Sequence, residues 1–158
     1  MTEKAVQDYY PDDIAVCYGC GKLNEHGHQI KSYWEGDETV CRFQPKPFHT
    51  AFPGYVYGGL IASLIDCHGT GTAASAKFLE QGKPLGSEML ERFVTVSLHV
   101  DYVAPTPIDK TLELRGRVKE SKGRKMVVSV TVSADGKETA RGEVVSLQMP
   151  PDFLPKNK

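Results

Sequence analysis

The stretch Tyr57–Phe78, YGGLIASLIDCHGTGTAASAKF, carries the residues best suited to chemistry. Gly58 and Gly59 open an apolar run of Leu60, Ile61, Ala62, Leu64 and Ile65, which Asp66 interrupts. Small residues follow: Gly69, Gly71, Ala73, Ala74 and Ala76. Apolar and small residues on nearly every side predict a helix over 57–80 that is buried all round. A carboxylate inside such a helix is costly unless something pairs with it. Buried, perturbed carboxylates gather at functional sites, which makes Asp66 the most informative residue of the chain. The alternative is a carboxylate that caps or braces the structure.

The glycine pair has its own logic. A helix N-terminus offers unpaired N–H groups and a partial positive charge. Glycine lets a ligand approach that backbone closely, and a carbonyl oxygen becoming an oxyanion could be held there. The alternative is that Gly58 and Gly59 only ease tight packing. Their spacing from Asp66 constrains assembly. Eight residues span about 12 Å of helix, so one reacting carbonyl cannot touch both. If both act on one bond, they come from two copies of the helix across a two-fold axis. A homodimer with two shared sites is the expectation.

A second constellation lies at 17–28, CYGCGKLNEHGH. Cys17 and Cys20 form a C-x-x-C, with His26 and His28 close by, and zinc could use two cysteines and two histidines. The spacing is unlike a common finger, no second C-x-x-C follows, and no βαβ pattern surrounds it. The favoured reading is a tight, glycine-bearing turn with packed thiols and no metal.

These groups need elements to position them. Residues 1–16 read as an N-terminal extension with a short helix or turn lying on the surface. Residues 28–35 and 38–44 read as a hairpin about Gly36-Asp37. Pro45, Pro47 and Pro53 make 45–56 a loop, in which His49 and Phe52 precede the helix. Gly82, Pro84 and Gly86 end the helix. Residues 92–104 alternate cleanly, Val94, Val96, Leu98, Val100 and Tyr102 against Thr95, Ser97, His99 and Asp101. His99 reads as a sheet or interface residue. Strands over 111–119, 124–134 and 137–148 follow, with turns at Ser121-Lys122-Gly123 and Asp135-Gly136. Residues 150–158 read as a frayed tail. Two strands, one buried helix and four strands predict an α+β fold in one domain over 1–158, an antiparallel sheet wrapped around one long central helix.

Composition excludes several classes. With 19 Lys plus Arg against 20 Asp plus Glu, no basic field argues for nucleic acid. No apolar run reaches the roughly 18–20 residues of a membrane span. MTEKAVQDYYPDD lacks the basic-then-apolar form of a signal peptide, and four cysteines fit reduced thiols. A soluble cytoplasmic protein is the expectation.

The order of elements resembles the hotdog fold. Gly54-Tyr55-Val56-Tyr57-Gly58-Gly59, six residues, then Asp66, is similar to the G-x-x-H-G-G-x6-D signature of PaaI-like acyl-CoA thioesterases. Asp101-Tyr102-Val103-Ala104-Pro105 resembles that family's third strand. The hairpins at Gly123-Arg124 and Asp135-Gly136-Lys137, before Ala140-Arg141-Gly142, resemble its last strands. Cys17-Tyr18-Gly19-Cys20-Gly21 with Asn24 and Gly27 is similar to the leader of one thioesterase-superfamily branch. The likeness covers residues 17–148. It implies an acyl-CoA hydrolase that needs no cofactor, since coenzyme A is part of the substrate. It implies Asp66 as general base or nucleophile, Gly58 with Gly59 polarising the thioester carbonyl from the other subunit, and Thr95 helping to place water. A dimer of dimers is compatible with it.

Other residues are candidates for substrate binding. Thr70 lies four residues past Asp66 on the same helical face. His49 and Tyr57 stand near the helix start, with Phe48, Phe52 and Tyr55 as pocket aromatics. Arg124 and Lys125, with Lys122 and Arg117, are cations for the phosphates of coenzyme A. Two positions depart from the family pattern: Tyr57 replaces its histidine, and Ala51 stands where some members carry Asn or Gln. They keep a non-hydrolytic acyl-CoA or ligand-binding protein as the alternative. A dehydratase, which pairs a histidine with a carboxylate, ranks below both. His68 is near Asp66 in sequence but about 200° away around a helix.

Overall fold

Proline excludes regular structure from the loop after β2, and the helix begins where that loop ends. The computed structural model describes residues 3–150 and 152–154. Its elements are β1 (Ser32–Glu35), β2 (Glu38–Phe43), α1 (Gly58–Glu80), β3 (Phe93–Tyr102), β4 (Leu112–Lys122), β5 (Lys125–Ala134) and β6 (Lys137–Gln148). The six strands form one antiparallel sheet in the order β1-β2-β4-β5-β6-β3. α1 packs against β3, β4, β5 and β6. This is the hotdog arrangement that the sequence predicts. Among the described residues, no helix is long and apolar enough to cross a membrane.

The small residues of α1 are there for contact. A Cβ on Gly69 would lie 2.5 Å from Val144 Cγ2 of β6, so the helix can touch the sheet there only as glycine. On another side, a Cβ on Gly71 would meet Gln7 and Val6. The N-terminal segment therefore does not simply lie on the surface as the sequence suggests, although Asp12, Asp13 and Val16 are exposed. Ala5, Val6 and Tyr10 are buried, and Gln7 accepts from the Ser32 N–H at 2.8 Å and donates to Ser32 Oγ at 3.0 Å. Leu64 and Ile65 face the sheet, each buried side chain contributing about 1.5–3 kcal/mol. The burial of α1 is incomplete: Gly59, Ala62, Ser63 and Asp66 form an open stripe one residue wide, at the i, i+3, i+4, i+7 spacing of one face.

The turns follow their residues, with one shift. Asp135 and Gly136 have φ of 50° and 76°, the geometry of a two-residue hairpin. β4 runs on through Ser121 and Lys122, so its turn falls on Gly123 and Arg124. Of the expected C-terminal tail, 151 and 155–158 lie outside the described residues. Residues 152–154 form no helix or strand.

His68 shows what the far side of α1 does. It is fully buried, with Nδ1 2.8 Å from Ser32 Oγ and Nε2 3.0 Å from Thr39 Oγ1. Burial pushes its pKa down to about 4, so the ring is neutral. It points at β1 and β2, which gives no support to a histidine–carboxylate dehydratase. We expect His68→Leu to lower stability by about 1–3 kcal/mol in urea unfolding, because it removes the ring's hydrogen bonds to two buried hydroxyls. An unchanged midpoint would refute that structural role.

Candidate active site

Asp66 sits two turns into α1, on the open stripe. Its Oδ1 accepts a 2.5 Å hydrogen bond from Thr95 Oγ1 of β3. Among the described residues it has no cationic partner. The hydroxyl occupies Oδ1 alone, and Oδ2 has no hydrogen-bond partner among the described residues.

A β-bulge aims Thr95 at that carboxylate. The β3–β6 register steps from Thr95 opposite Ser146 to Ser97 opposite Val145, and Val96 is the extra residue. Directly opposed residues share a face. Phe93, Thr95, Leu98, Val100 and Tyr102 therefore share the helix-facing side with Ser146, Val144, Gly142 and Ala140. The clean alternation expected for 92–104 puts Thr95 on the opposite side from Leu98 and Tyr102. The bulge reverses this, a common device beside functional sites.

The helix start is arranged differently. Tyr57 is the extended N-cap residue and no side chain caps the first turn. Among the described residues, the Gly58 and Gly59 N–H groups find no hydrogen-bond partner. The Tyr102 hydroxyl donates to the Gly58 carbonyl at 2.7 Å. Burial, with Tyr57 close by, pushes the Tyr102 pKa up, which keeps that donor protonated. A Cβ on Gly59 would come within 2.5 Å of the Tyr57 ring, so Gly59 makes room for that ring. The nearest atoms a Cβ on Gly58 would meet are those of Tyr102, at an ordinary 3.4 Å. Packing thus explains Gly59 and leaves Gly58 unexplained.

Asp66 and Gly58 open onto different cavities. One, of about 410 Å³, is bordered by Asp66, Thr70 and Thr95 together with Cys17, Cys67 and Arg92. The other, of about 640 Å³, is bordered by Gly58, Ala51, Phe52, Tyr55, Ile61 and Tyr102. Within one chain the two candidate groups do not meet, as their spacing requires.

The remaining candidates divide. Thr70 borders the Asp66 cavity and donates to the Cys67 carbonyl at 3.1 Å. Arg124 borders a third cavity, of about 720 Å³, which shares Arg92 with the first, and donates to the Gln148 carbonyl. Lys125 lies 3.9 Å from Glu120 and borders none of these cavities. Arg117 is held by Asp37 and Glu38, so it belongs to an ion-pair network rather than to a binding rim. His49 stacks against His28, Phe43 and Phe48, its pKa lowered by burial, and does not reach Asp66's cavity. Phe48 is exposed, while Phe52 and Tyr55 border the Gly58 cavity.

Two groups escape sequence reasoning. Arg92 stands between two cavities; its only signal is its place just before β3. Cys67 joins Cys17 and Cys20, the three Sγ atoms lying within 4.8 Å of one another. Hydrogen bonds from the Cys20 and Cys67 thiols, then from backbone N–H groups, hold the Cys17 thiol well below its ordinary pKa. The histidines of the sequence motif are elsewhere: His26 is exposed beside Glu25, and His28 packs on Tyr18.

Comparison with known proteins adds a family to this geometry. A family model described as the thioesterase superfamily matches residues 53–141. Acyl-coenzyme A thioesterase THEM4 of Xenopus laevis is 31% identical over 108 residues, covering 68% of this chain and 43% of the relative. THEM4 of Rattus norvegicus is likewise 31% identical over 108 residues, 68% of this chain and 41% of the relative. The chain spans under half the length of these curated relatives. A solved thioesterase superfamily protein from Shewanella loihica PV-4 is 51% identical, with a TM-score of 0.64, covering 80% of this chain and 96% of that one. The E. coli PaaI protein from the phenylacetic acid degradation operon has a TM-score of 0.63 at 14% identity, covering 78% of this chain and 81% of that one. That last likeness is one of fold alone.

Proposed function

The chain belongs to the thioesterase superfamily, and from that premise we propose that it hydrolyses acyl-CoA thioesters. The observation that carries the reading is the Thr95–Asp66 pair on its cavity, with no cation paired to the carboxylate among the described residues. The thioester carbonyl points at the N–H groups of Gly58 and Gly59, where the helix terminus stabilises the oxyanion. Asp66 of a second protomer activates water or attacks the carbonyl directly, through Oδ2. Thr95 fixes the carboxylate through Oδ1. Thiolate leaves readily, so no strong general acid is required, and hydrolysis by this route uses no metal. Arg124 borders the adjoining cavity and supplies positive charge for the phosphates of coenzyme A.

A homodimer follows from the separation of Gly58 and Asp66. Two surfaces support it. β3 is an edge strand that leaves Val96 and Tyr102 56% and 54% exposed, and an open apolar edge invites pairing. The stripe of Gly59, Ala62, Ser63 and Asp66 offers small residues to a second helix.

The direct test is thiol release from a panel of short, long and aromatic acyl-CoAs. Release names the substrate class. Tight binding with no release from any member would refute hydrolysis and favour the ligand-binding alternative, with Tyr57 and Ala51 as its explanation. Gly58→Ala separates chemistry from packing at the helix start. It has room for its methyl group, so thermal unfolding should be unchanged. Turnover should fall about 10²-fold, because a carbonyl displaced by ~1 Å loses the oxyanion donors. Full activity in Gly58→Ala would remove the helix start from the mechanism.

A further inference from the structure

The three cysteines beside the Asp66 cavity are not used by the hydrolytic reading. Cys17 and Cys20 lie in the loop before β1, and Cys67 on α1. All are free thiols, and Cys17 and Cys67 Sγ are 3.8 Å apart. That is too far for an S–S bond of about 2.05 Å. It matches the edge of a tetrahedron built on Zn–S bonds of about 2.3 Å, where neighbouring sulfurs stand about 3.8 Å apart.

The surroundings are shaped to this cluster. A Cβ on Gly19 would fall 2.3 Å from Cys67 Sγ, so any other residue there drives the third thiol away. A Cβ on Gly21 would strike the Cys17 backbone at 2.4 Å. Arg92 Nη1 lies 3.4 Å from Cys20 Sγ, and its guanidinium stacks 4.4 Å from the Tyr10 ring centroid. Three thiolates around a divalent cation carry one net negative charge, and Arg92 offsets it. Cys17 and Cys67 border the cavity, which gives water access to a fourth coordination position.

We propose that Cys17, Cys20 and Cys67 bind one soft divalent cation of the Zn2+ class, with water as fourth ligand. The ion ties the Cys17–Gly21 loop to α1 one residue from Asp66. Its role is structural and independent of the hydrolytic reading. Neither His26 nor His28 is a ligand.

The test uses the full chain, reduced and stripped of metal, titrated with Zn2+ alone against a chromophoric chelator and in parallel with Co2+. One equivalent of Zn2+ per chain and a thiolate-to-cobalt charge-transfer band are expected. Cys67→Ser should weaken Zn2+ binding by at least about 100-fold, beyond the loss typical of groups that only orient a ligand. A second measurement needs no variant. Zn2+ should slow iodoacetamide capture of the half-exposed Cys17 at least about tenfold, because the metal occupies the thiolate. Well under one equivalent bound, no charge-transfer band, undiminished affinity in Cys67→Ser, or unprotected Cys17 would each overturn the proposal.

Discussion

Asp66→Asn is expected to lower kcat for acyl-CoA hydrolysis by about 10²–10⁴-fold, while KM and the unfolding midpoint stay near wild type. Asparagine has the same shape as aspartate and still offers an oxygen to the Thr95 hydroxyl, which donates at 2.5 Å in the native protein. The substitution therefore removes basicity and negative charge and leaves packing alone. Asp66 is half-buried and, among the described residues, takes part in no ion pair, so none is broken. A fall in kcat without a rise in KM means that the lost interaction is made in the transition state. Hydroxylamine trapping during turnover of the wild type then separates the two roles. Hydroxylamine attack on the aspartyl carbonyl of an acyl–Asp66 anhydride expels the acyl carboxylate and leaves a hydroxamate on Asp66; that product marks a nucleophile, and its absence a general base acting through water. Wild-type turnover in a well-folded Asp66→Asn protein would remove Asp66 from the mechanism altogether.

The legible parts of this fold are those in which chemistry and periodicity are local. Asp66 stands out because it breaks an apolar run, and α1 because apolar and small residues fill 60–76. Asp135-Gly136 announces its hairpin because both residues tolerate positive φ. What escapes is set by pairing between distant segments. The bulge at Val96 depends on how β3 meets β6, and no residue in FVTVSLHVDY signals it. Without that bulge, Thr95 would be read as facing away from Tyr102. The same holds for Val6 and Tyr10, whose burial depends on the small side chains of α1 some 60 residues later. Cys67 is invisible as a partner of Cys17 because the sequence pairs Cys17 with the nearest histidines, while the fold pairs it with the helix. Arg117 misleads in the opposite way. Its charge suggests a phosphate site, and cross-strand neighbours at Asp37 and Glu38 already hold it.

Heterodimers that join an Asp66→Asn chain to a Gly58→Ala chain should regain about half of wild-type turnover per dimer, although each homodimer is crippled, because a two-fold assembly with shared sites sorts both defects into one site. The argument rests on length. Asp66 and Gly58 lie on one helix, about 12 Å apart along its axis, and border separate cavities of the chain. If each active site takes Asp66 from one protomer and Gly58 from the other, the mixed dimer holds one site with both substitutions and one with neither. Heterodimers isolated through two different affinity tags make the count direct, since the undamaged site is present in every molecule. A site contained within one chain predicts the opposite, because each protomer of the mixed dimer then carries one broken site. In that case turnover would remain at the level of the two variants, about 10²-fold below wild type. Recovery would also explain why α1 leaves Gly59, Ala62, Ser63 and Asp66 incompletely covered in its first half, while 67–76 are buried. In such an assembly the stripe that carries the carboxylate would face the second protomer, and the same contact that assembles the dimer would assemble the site.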